Sequence, residues 1–184
     1  VTLTGFGGVG KTRLAIEAGW RLLEQFPDGV YLVELAPLAD SNLVATRIAT
    51  TLGLPEQAGQ LPGYHWVDAL RGKRSLLIAD NCEHVLEAVG LVVERLLQRC
   101  PDFRVLATSR EPLRISGERV VRIAPLELPA TTAAMEADAI RSAPAVWLFL
   151  DRISNSAPAF ALADDDAEGW QMVRNVCTKL DGIP

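Results

Sequence analysis

Cysteine is scarce in this chain of 184 residues, and what there is does not pair. Cys82, Cys100 and Cys177 are odd in number and far apart, and no Cys-x-x-Cys spacing occurs. With His65 and His84 as the two histidines, this argues against a structural zinc site. The three thiols are expected to be buried and reduced, as in a cytoplasmic protein. No apolar run approaches the ~20 residues that span a bilayer. Arginine is scattered without a basic run, and the formal net charge is −5. A surface given over to nucleic acid needs clustered Lys and Arg, so any DNA-binding activity is expected outside this segment. No internal repeat or low-complexity tract appears. No signal peptide precedes the first strand, and the abrupt start reads as that of a fragment cut from a longer chain.

What is present is enough for a core: 49% of residues are hydrophobic and 22% charged. The length suits one domain, or one and part of a second. The chain opens on the apolar run Val1-Thr2-Leu3-Thr4, followed by Gly5-Phe6-Gly7-Gly8-Val9-Gly10-Lys11-Thr12. Strand, glycine loop and helix in that order, with Gly, four residues and Gly-Lys-Thr, make the phosphate-cradling P-loop. Glycines Gly5, Gly7, Gly8 and Gly10, with Val9 between them, let backbone N–H groups approach an anion without obstructing Cβ atoms. The helix beginning near Gly10 adds the positive end of its dipole. Lys11 is expected to reach the β- and γ-phosphates, and the Thr12 hydroxyl to hold Mg²⁺. Arg13 follows at the loop's exit, among the nucleotide-binding positions, with its side chain expected toward solvent.

The next segment puts Leu14, Ala18, Leu22 and Phe26 on one helical row, with Ala15 and Gly19 beside them, and closes at Pro27-Asp28-Gly29. Strands are expected over 29–35, 75–80, 103–108 and 119–123. Helices between them carry Val44, Ile48 and Leu52, then Leu86, Val89, Val93, Leu96 and Cys100. Asp40 or Ser41 can cap the first of these. Residues 54–63 read as a loop, and a short helix carries Trp66, Val67 and Leu70. The near-continuous apolar run Ser75 to Asp80 suggests a central strand covered on both faces.

Strands alternating with helices give an α/β fold with a parallel sheet. With the P-loop at its start, the chain resembles a three-layer P-loop NTPase core, which implies a five-stranded, mainly parallel sheet in the order 5-1-4-3-2. Past Pro125 only helical patterns remain, marked by Val146, Phe149, Leu150 and Ile153, then by Trp170, Val173, Cys177 and Leu180. Asp164-Asp165-Asp166 between them reads as a solvated helix start rather than a metal site. The boundary falls near residues 125–130, giving an α/β domain over 1–128 and the opening of a helical subdomain over 129–184.

Asp80 ends its strand at the sheet edge where ligands sit. It is the acid expected to orient Mg²⁺, the Walker B role, so Thr12 and Asp80 are the metal pair. Asn81 follows, an amide that cannot take a proton where many hydrolytic P-loop proteins carry a second acid. Glu83 is the nearest carboxylate; it fits the first turn of a helix, and equally the role of a catalytic base. His84 is a weaker candidate, at the surface or behind the residues that touch the nucleotide. Arg110, in Thr108-Ser109-Arg110 at the end of the fourth strand, could reach a γ-phosphate and report its presence. With Asp80, Glu83 and Arg110 as the catalytic positions, hydrolysis is expected to be slow.

These motifs together resemble the NB-ARC type of STAND ATPases. The residues that carry the resemblance are Gly5 to Ala15, Asp80-Asn81-Cys82-Glu83-His84, Thr108-Ser109-Arg110-Glu111-Pro112-Leu113 and Leu180-Asp181-Gly182-Ile183-Pro184. The likeness is greatest to the modules of bacterial LuxR-type and SARP-type transcriptional regulators. It implies a signalling switch with ATP or ADP and Mg²⁺ as cofactors: ADP holds a closed arrangement, and ATP opens it and permits self-oligomerisation. It implies that Arg110 is the sensor arginine. It also implies that Pro184, matching the proline of a Gly-Leu-Pro-Leu motif, packs near the adenine. Ile183 departs from that motif's leucine, and Trp147 stands where an arginine is expected. The family's adenine-holding residues would lie upstream of Val1, and its sensor and effector domains elsewhere in the same polypeptide.

The reading is therefore an ATP/ADP-binding regulatory module of a larger bacterial regulator. The alternative is an AAA-like motor or remodeller with Glu83 as base; a small-molecule kinase fits poorly, because nothing resembles a lid or acceptor site. Replacing Lys11 by Ala is expected to remove a charge-assisted phosphate contact of about 1.5–3 kcal/mol, one to two orders of magnitude in ADP affinity. Calorimetric titration with undiminished ADP affinity would refute the phosphate-binding assignment.

Overall fold

The structure, a computed structural model, describes residues 1–54, 65–129, 137–157, 160 and 162–184. The loop expected over 54–63 lies outside the described residues but for its first position, as do the side chain of His65 and residues just past the 128/129 boundary. The described chain divides into two compact units, one comprising Val1–Gly7 and Lys11–Ile123, the other Gly8–Gly10 and Ala124–Pro184.

In the first unit the strands are β1 (Thr2–Thr4), β2 (Val30–Glu34), β3 (Leu76–Asp80), β4 (Arg104–Ser109) and β5 (Val120–Arg122). The helices are α1 (Lys11–Arg21), α2 (Val44–Thr51) and α3 (Leu86–Arg99). The sheet order is β2-β3-β4-β1-β5, the 5-1-4-3-2 order read from the other edge, and every pairing among the described residues is parallel. β3 is buried along its whole length, as a strand between two helical layers must be. Its side chains alternate between two cores. Leu77 and Ala79 join Val33, Val105 and Ala107 under α2 and α3, where Ile48, Val89 and Leu96 are fully buried. Leu76 and Ile78 face the other way, with Leu3 and Ala15 of α1. The three-layer α/β P-loop core expected from the sequence is thus what the chain forms.

The packed stripe of α1 differs from the expected one. Leu14 is 44% exposed, while Ala15 and Gly19, its neighbours, are buried. The helix ends at Arg21, and a 3-10 turn over Leu23–Gln25 takes its place. Leu22 and Phe26 still pack on the sheet from this turn. Small residues win the contact because the helix lies close: a Cβ on Gly19 would stand 2.6 Å from Ile78 Cδ1 and 3.3 Å from Val30 Cγ1. Larger side chains at the sheet face would force the helix away.

The second unit holds α4 (Ala137–Arg141), α5 (Pro144–Ser156) and α6 (Ala167–Lys179). Pro144 opens α5 at a position whose N–H would have no helical partner. Asp166 caps α6 by accepting from the Gly169 N–H at 2.9 Å, and Asp164 pairs with Arg141, so the acidic triplet is a helix start. Val146, Trp170, Val173 and Cys177 form the core, and Trp170 Nε1 donates to Ala163 O at 3.0 Å. Leu180, expected on the packed stripe of α6, follows the helix end and is 51% exposed. Trp147 is 65% exposed on α5. Cys82, Cys100 and Cys177 are buried and unpaired, as expected. Among the described residues no helix is long and apolar enough to cross a membrane.

Gly19→Val is expected to destabilise the fold by about 1–3 kcal/mol through overpacking against Ile78 and Val30. That outweighs the roughly half kcal/mol gained in helix propensity. Urea unfolding checks it; a variant as stable as the parent would show that α1 can move off the sheet at no cost.

Candidate nucleotide-binding site

The glycine loop joins the buried strand β1 to α1, and its shape depends on residues without a Cβ. Gly5, Gly8 and Gly10 have φ of 150°, 82° and 92°, a region that L side chains rarely enter. Lys11 closes the loop, its Nζ donating to Gly5 O at 2.9 Å and Phe6 O at 2.8 Å. This holds an ammonium over a row of backbone groups. Arg13 is exposed, and Val9 is buried.

At the carboxyl edge of the sheet, Asp80 is 9% exposed and one of its oxygens receives two hydroxyls. Thr12 Oγ1 donates to Asp80 Oδ1 at 2.6 Å, and Thr108 Oγ1 donates to the same atom at 2.6 Å. Both distances are those of O–H donors on a carboxylate. A threonine hydroxyl has one proton, so Thr108, having given it to Asp80, accepts from the Asn81 N–H at 3.0 Å. Thr108 is 1% exposed. The register explains the meeting: β3 and β4 pair Ala79 with Ala107, which brings Thr108 alongside Asp80. Asp80 and Thr12 are legible in the sequence as site residues, and Thr108 is not. The signal that could have found it is a threonine one residue before the end of the strand beside the acid.

Thr12 gives its proton to Asp80, so its lone pairs are left for a cation. A hydroxyl and a carboxylate are hard oxygen donors, the set that suits Mg²⁺ held jointly by protein, water and phosphate. Among the described residues no cluster of three or more His, Cys, Asp or Glu could hold a metal by itself.

Asn81 leaves β3 in the left-handed region, φ 63° and ψ 56°, which asparagine tolerates better than most residues. This bend starts a 3-10 turn over Cys82–His84, so Glu83 lies on that turn rather than in the first turn of α3. Glu83 does not stand alone: its Oε1 lies 3.1 Å from Arg110 Nε. His84 is exposed and its Nε2 sits 3.0 Å from the carbonyls of Leu35 and Leu38, which fastens the turn to the end of β2. Burial, with Asp80 and Glu83 nearby, pushes the Cys82 thiol up to about 12, so it stays protonated and packs as an apolar group.

The loop after Arg110 is held by Glu118. Burial pushes that carboxyl up, but hydrogen bonds from the Thr2 hydroxyl and the backbone N–H groups of Leu113, Arg114 and Ile115 outweigh it, so the group lies below its ordinary value. Pro184 belongs to the second unit and is exposed. In that unit a Cβ on Gly8 would stand 3.0 Å from Ile183 Cγ2, and one on Gly10 would stand 3.9 Å from Pro184 Cγ. The structure thus brings Thr12, Asp80 and Thr108 together, and Glu83 and Arg110.

No protein-family model matches the chain. Over its whole length it is 40% identical to proteins of Mycobacterium bovis and Mycobacterium tuberculosis named "putative HTH-type transcriptional regulator", of which it spans 19%. It is 36% identical to an uncharacterized Mycobacterium tuberculosis protein, of which it spans 43%. The chain therefore covers between about a fifth and under half of these relatives. Among solved structures it resembles a chain of Drosophila ORC bound to DNA, with a TM-score of 0.61 at 16% identity over 100% of this chain and 52% of that one. It also resembles Cdc6p of Pyrobaculum aerophilum, with a TM-score of 0.55 at 16% identity over 84% of this chain and 43% of that one. At these identities the likeness is one of fold, that of a P-loop NTPase core.

Thr108→Val is expected to leave Asp80 one donor short and the Asn81 N–H without its acceptor, costing about 1–3 kcal/mol of folding stability. Thr108→Ser should recover most of it. Denaturant unfolding of the pair decides; a valine variant as stable as the parent would mean that the hydroxyl has no structural share.

Proposed function

We propose that this chain is the nucleotide-binding switch of a longer bacterial transcriptional regulator, of the NB-ARC type of STAND ATPases. Bound ADP or ATP, rather than rapid turnover, is its output. The α/β part, 1–128, is the nucleotide-binding domain, and 129–184 opens a helical subdomain. The observation that carries the reading is the meeting of Thr12 and Asp80 at the sheet edge under a glycine loop closed by Lys11.

In this reading the N–H groups of Gly5 to Thr12 receive the phosphates, and Lys11 exchanges the carbonyls of Gly5 and Phe6 for phosphate oxygens. Thr12 and Asp80 hold Mg²⁺, which neutralises phosphate charge, while Thr108 keeps Asp80 oriented. Arg110 senses the γ-phosphate, Arg13 flanks the loop, and Pro184 packs near the base. Slow hydrolysis follows from Asn81, an amide at the position after Asp80, and from Glu83, whose carboxylate is engaged by Arg110. The relatives' name supports a transcriptional role, and their greater length supports sensor and effector parts in the same polypeptide. Promoter contact belongs to those parts; this segment contributes nucleotide-dependent self-association in the cytoplasm.

The test is steady-state ATP turnover and ADP calorimetry on the full-length regulator carrying this segment. The expected result is measurable ADP binding with turnover far below about 1 s⁻¹, the floor of ordinary enzyme rates. Fast turnover by the purified protein without any added signal would overturn the switch in favour of a motor.

A further inference from the structure

We infer that Glu83 is a positioning residue for Arg110, and that their ion pair sets the preference of this site between a nucleoside triphosphate and a diphosphate. The inference rests on the proposed nucleotide-binding role of the glycine loop.

The two side chains come from different elements, Glu83 from the 3-10 turn after β3 and Arg110 from the residue after β4. Their side chains differ in freedom. That of Glu83 is 22% exposed, and that of Arg110 is 66% exposed. The glutamate is thus the fixed member and the arginine the reaching arm. Arg110 Nε faces Glu83 Oε1 at 3.1 Å, while its Nη2 lies 3.7 Å from where a Cβ on Gly7 would stand. One guanidinium therefore spans from the acid to the glycine loop.

A guanidinium presents five donors in a rigid fork, so an Nε edge on a carboxylate leaves the terminal N–H groups for a second anion. Paired in this way, Arg110 is held over the loop before any ligand arrives. An unpaired arginine would lose side-chain freedom when it ordered on a phosphate. The γ-phosphate is what separates the two nucleotides, so ordering Arg110 in advance favours the triphosphate. This role differs from that of a general base, which would take a proton from water and leave the affinities for ADP and ATP alone.

The experiment measures Kd for ADP and for a non-hydrolysable ATP analogue by calorimetry, with Mg²⁺, on the full-length protein. The variants are Glu83→Gln, Glu83→Ala, Arg110→Gln and Glu83→Ala with Arg110→Gln. Glu83→Ala is expected to lower the preference for the triphosphate about two- to fivefold, the scale of a partly exposed ion pair. Glu83→Gln, which keeps the shape and loses the charge, should fall between it and the parent. In the Arg110→Gln background, Glu83→Ala should change nothing further. An unchanged or increased triphosphate preference in the Glu83 variants overturns the inference. So does an effect that persists without Arg110, or a Glu83→Gln protein that loses turnover with both affinities intact. If the parent binds neither nucleotide, the switch reading itself fails. If Arg110→Gln lowers the preference while both Glu83 variants match the parent, only the inference does.

Discussion

One oxygen of one carboxylate holds the site end of this fold together. Asp80 Oδ1 receives hydroxyls from Thr12, in the first turn of α1, and from Thr108, near the end of β4. A carboxylate at 9% exposure is costly without such donors, so both must arrive for β3 to end there. They arrive because the parallel register sets β4 beside β3 and because α1 lies close enough for Gly19 to touch Ile78. Packing and polar satisfaction are therefore one condition: a helix held further off by a larger residue would also withdraw Thr12 from the acid.

Positive-φ bends flank two of the site residues along the chain. Gly8 and Gly10 take up positive φ before Lys11, and Asn81 does so just after Asp80. The bend at Asn81 turns the chain into Cys82–His84 instead of continuing straight into α3. Asn81 thereby fulfils a structural demand that a β-branched or bulky residue would meet only with strain. A residue read from sequence as a missing acid is also the residue that makes this turn.

Much of the fold was legible because it repeats locally. The apolar run into Asp80 and the glycine loop each occupy a dozen residues or fewer, and strand alternates with helix from Thr2 to Arg122; the sheet order came with the P-loop class rather than from any of these runs. Leu14 was misjudged because periodicity weighs apolar side chains and cannot weigh proximity; Ala15 and Gly19 were selected by how near α1 lies to β3. Leu180 was misjudged because α6 ends one residue before it. Thr108 and the Glu83–Arg110 pair went unread for a different reason. They join positions 28 and 27 residues apart in the chain, and only the register of β3 with β4 makes them neighbours.

That register also bears on whether the acid after the strand serves catalysis or position. A base needs a lone pair directed at a water above the γ-phosphate, and it must not be neutralised by a neighbouring cation. Glu83 sits on a turn that Asn81 re-aims and His84 fastens to the end of β2, and its carboxylate faces a guanidinium. An arginine opposite an acid occupies a carboxylate oxygen that a base would turn toward water, which favours a lasting ion pair. A fast catalyst would gain by separating these two groups. A device that must tell one phosphate count from another gains by keeping them together, because the arginine is then ordered over the loop before the nucleotide binds.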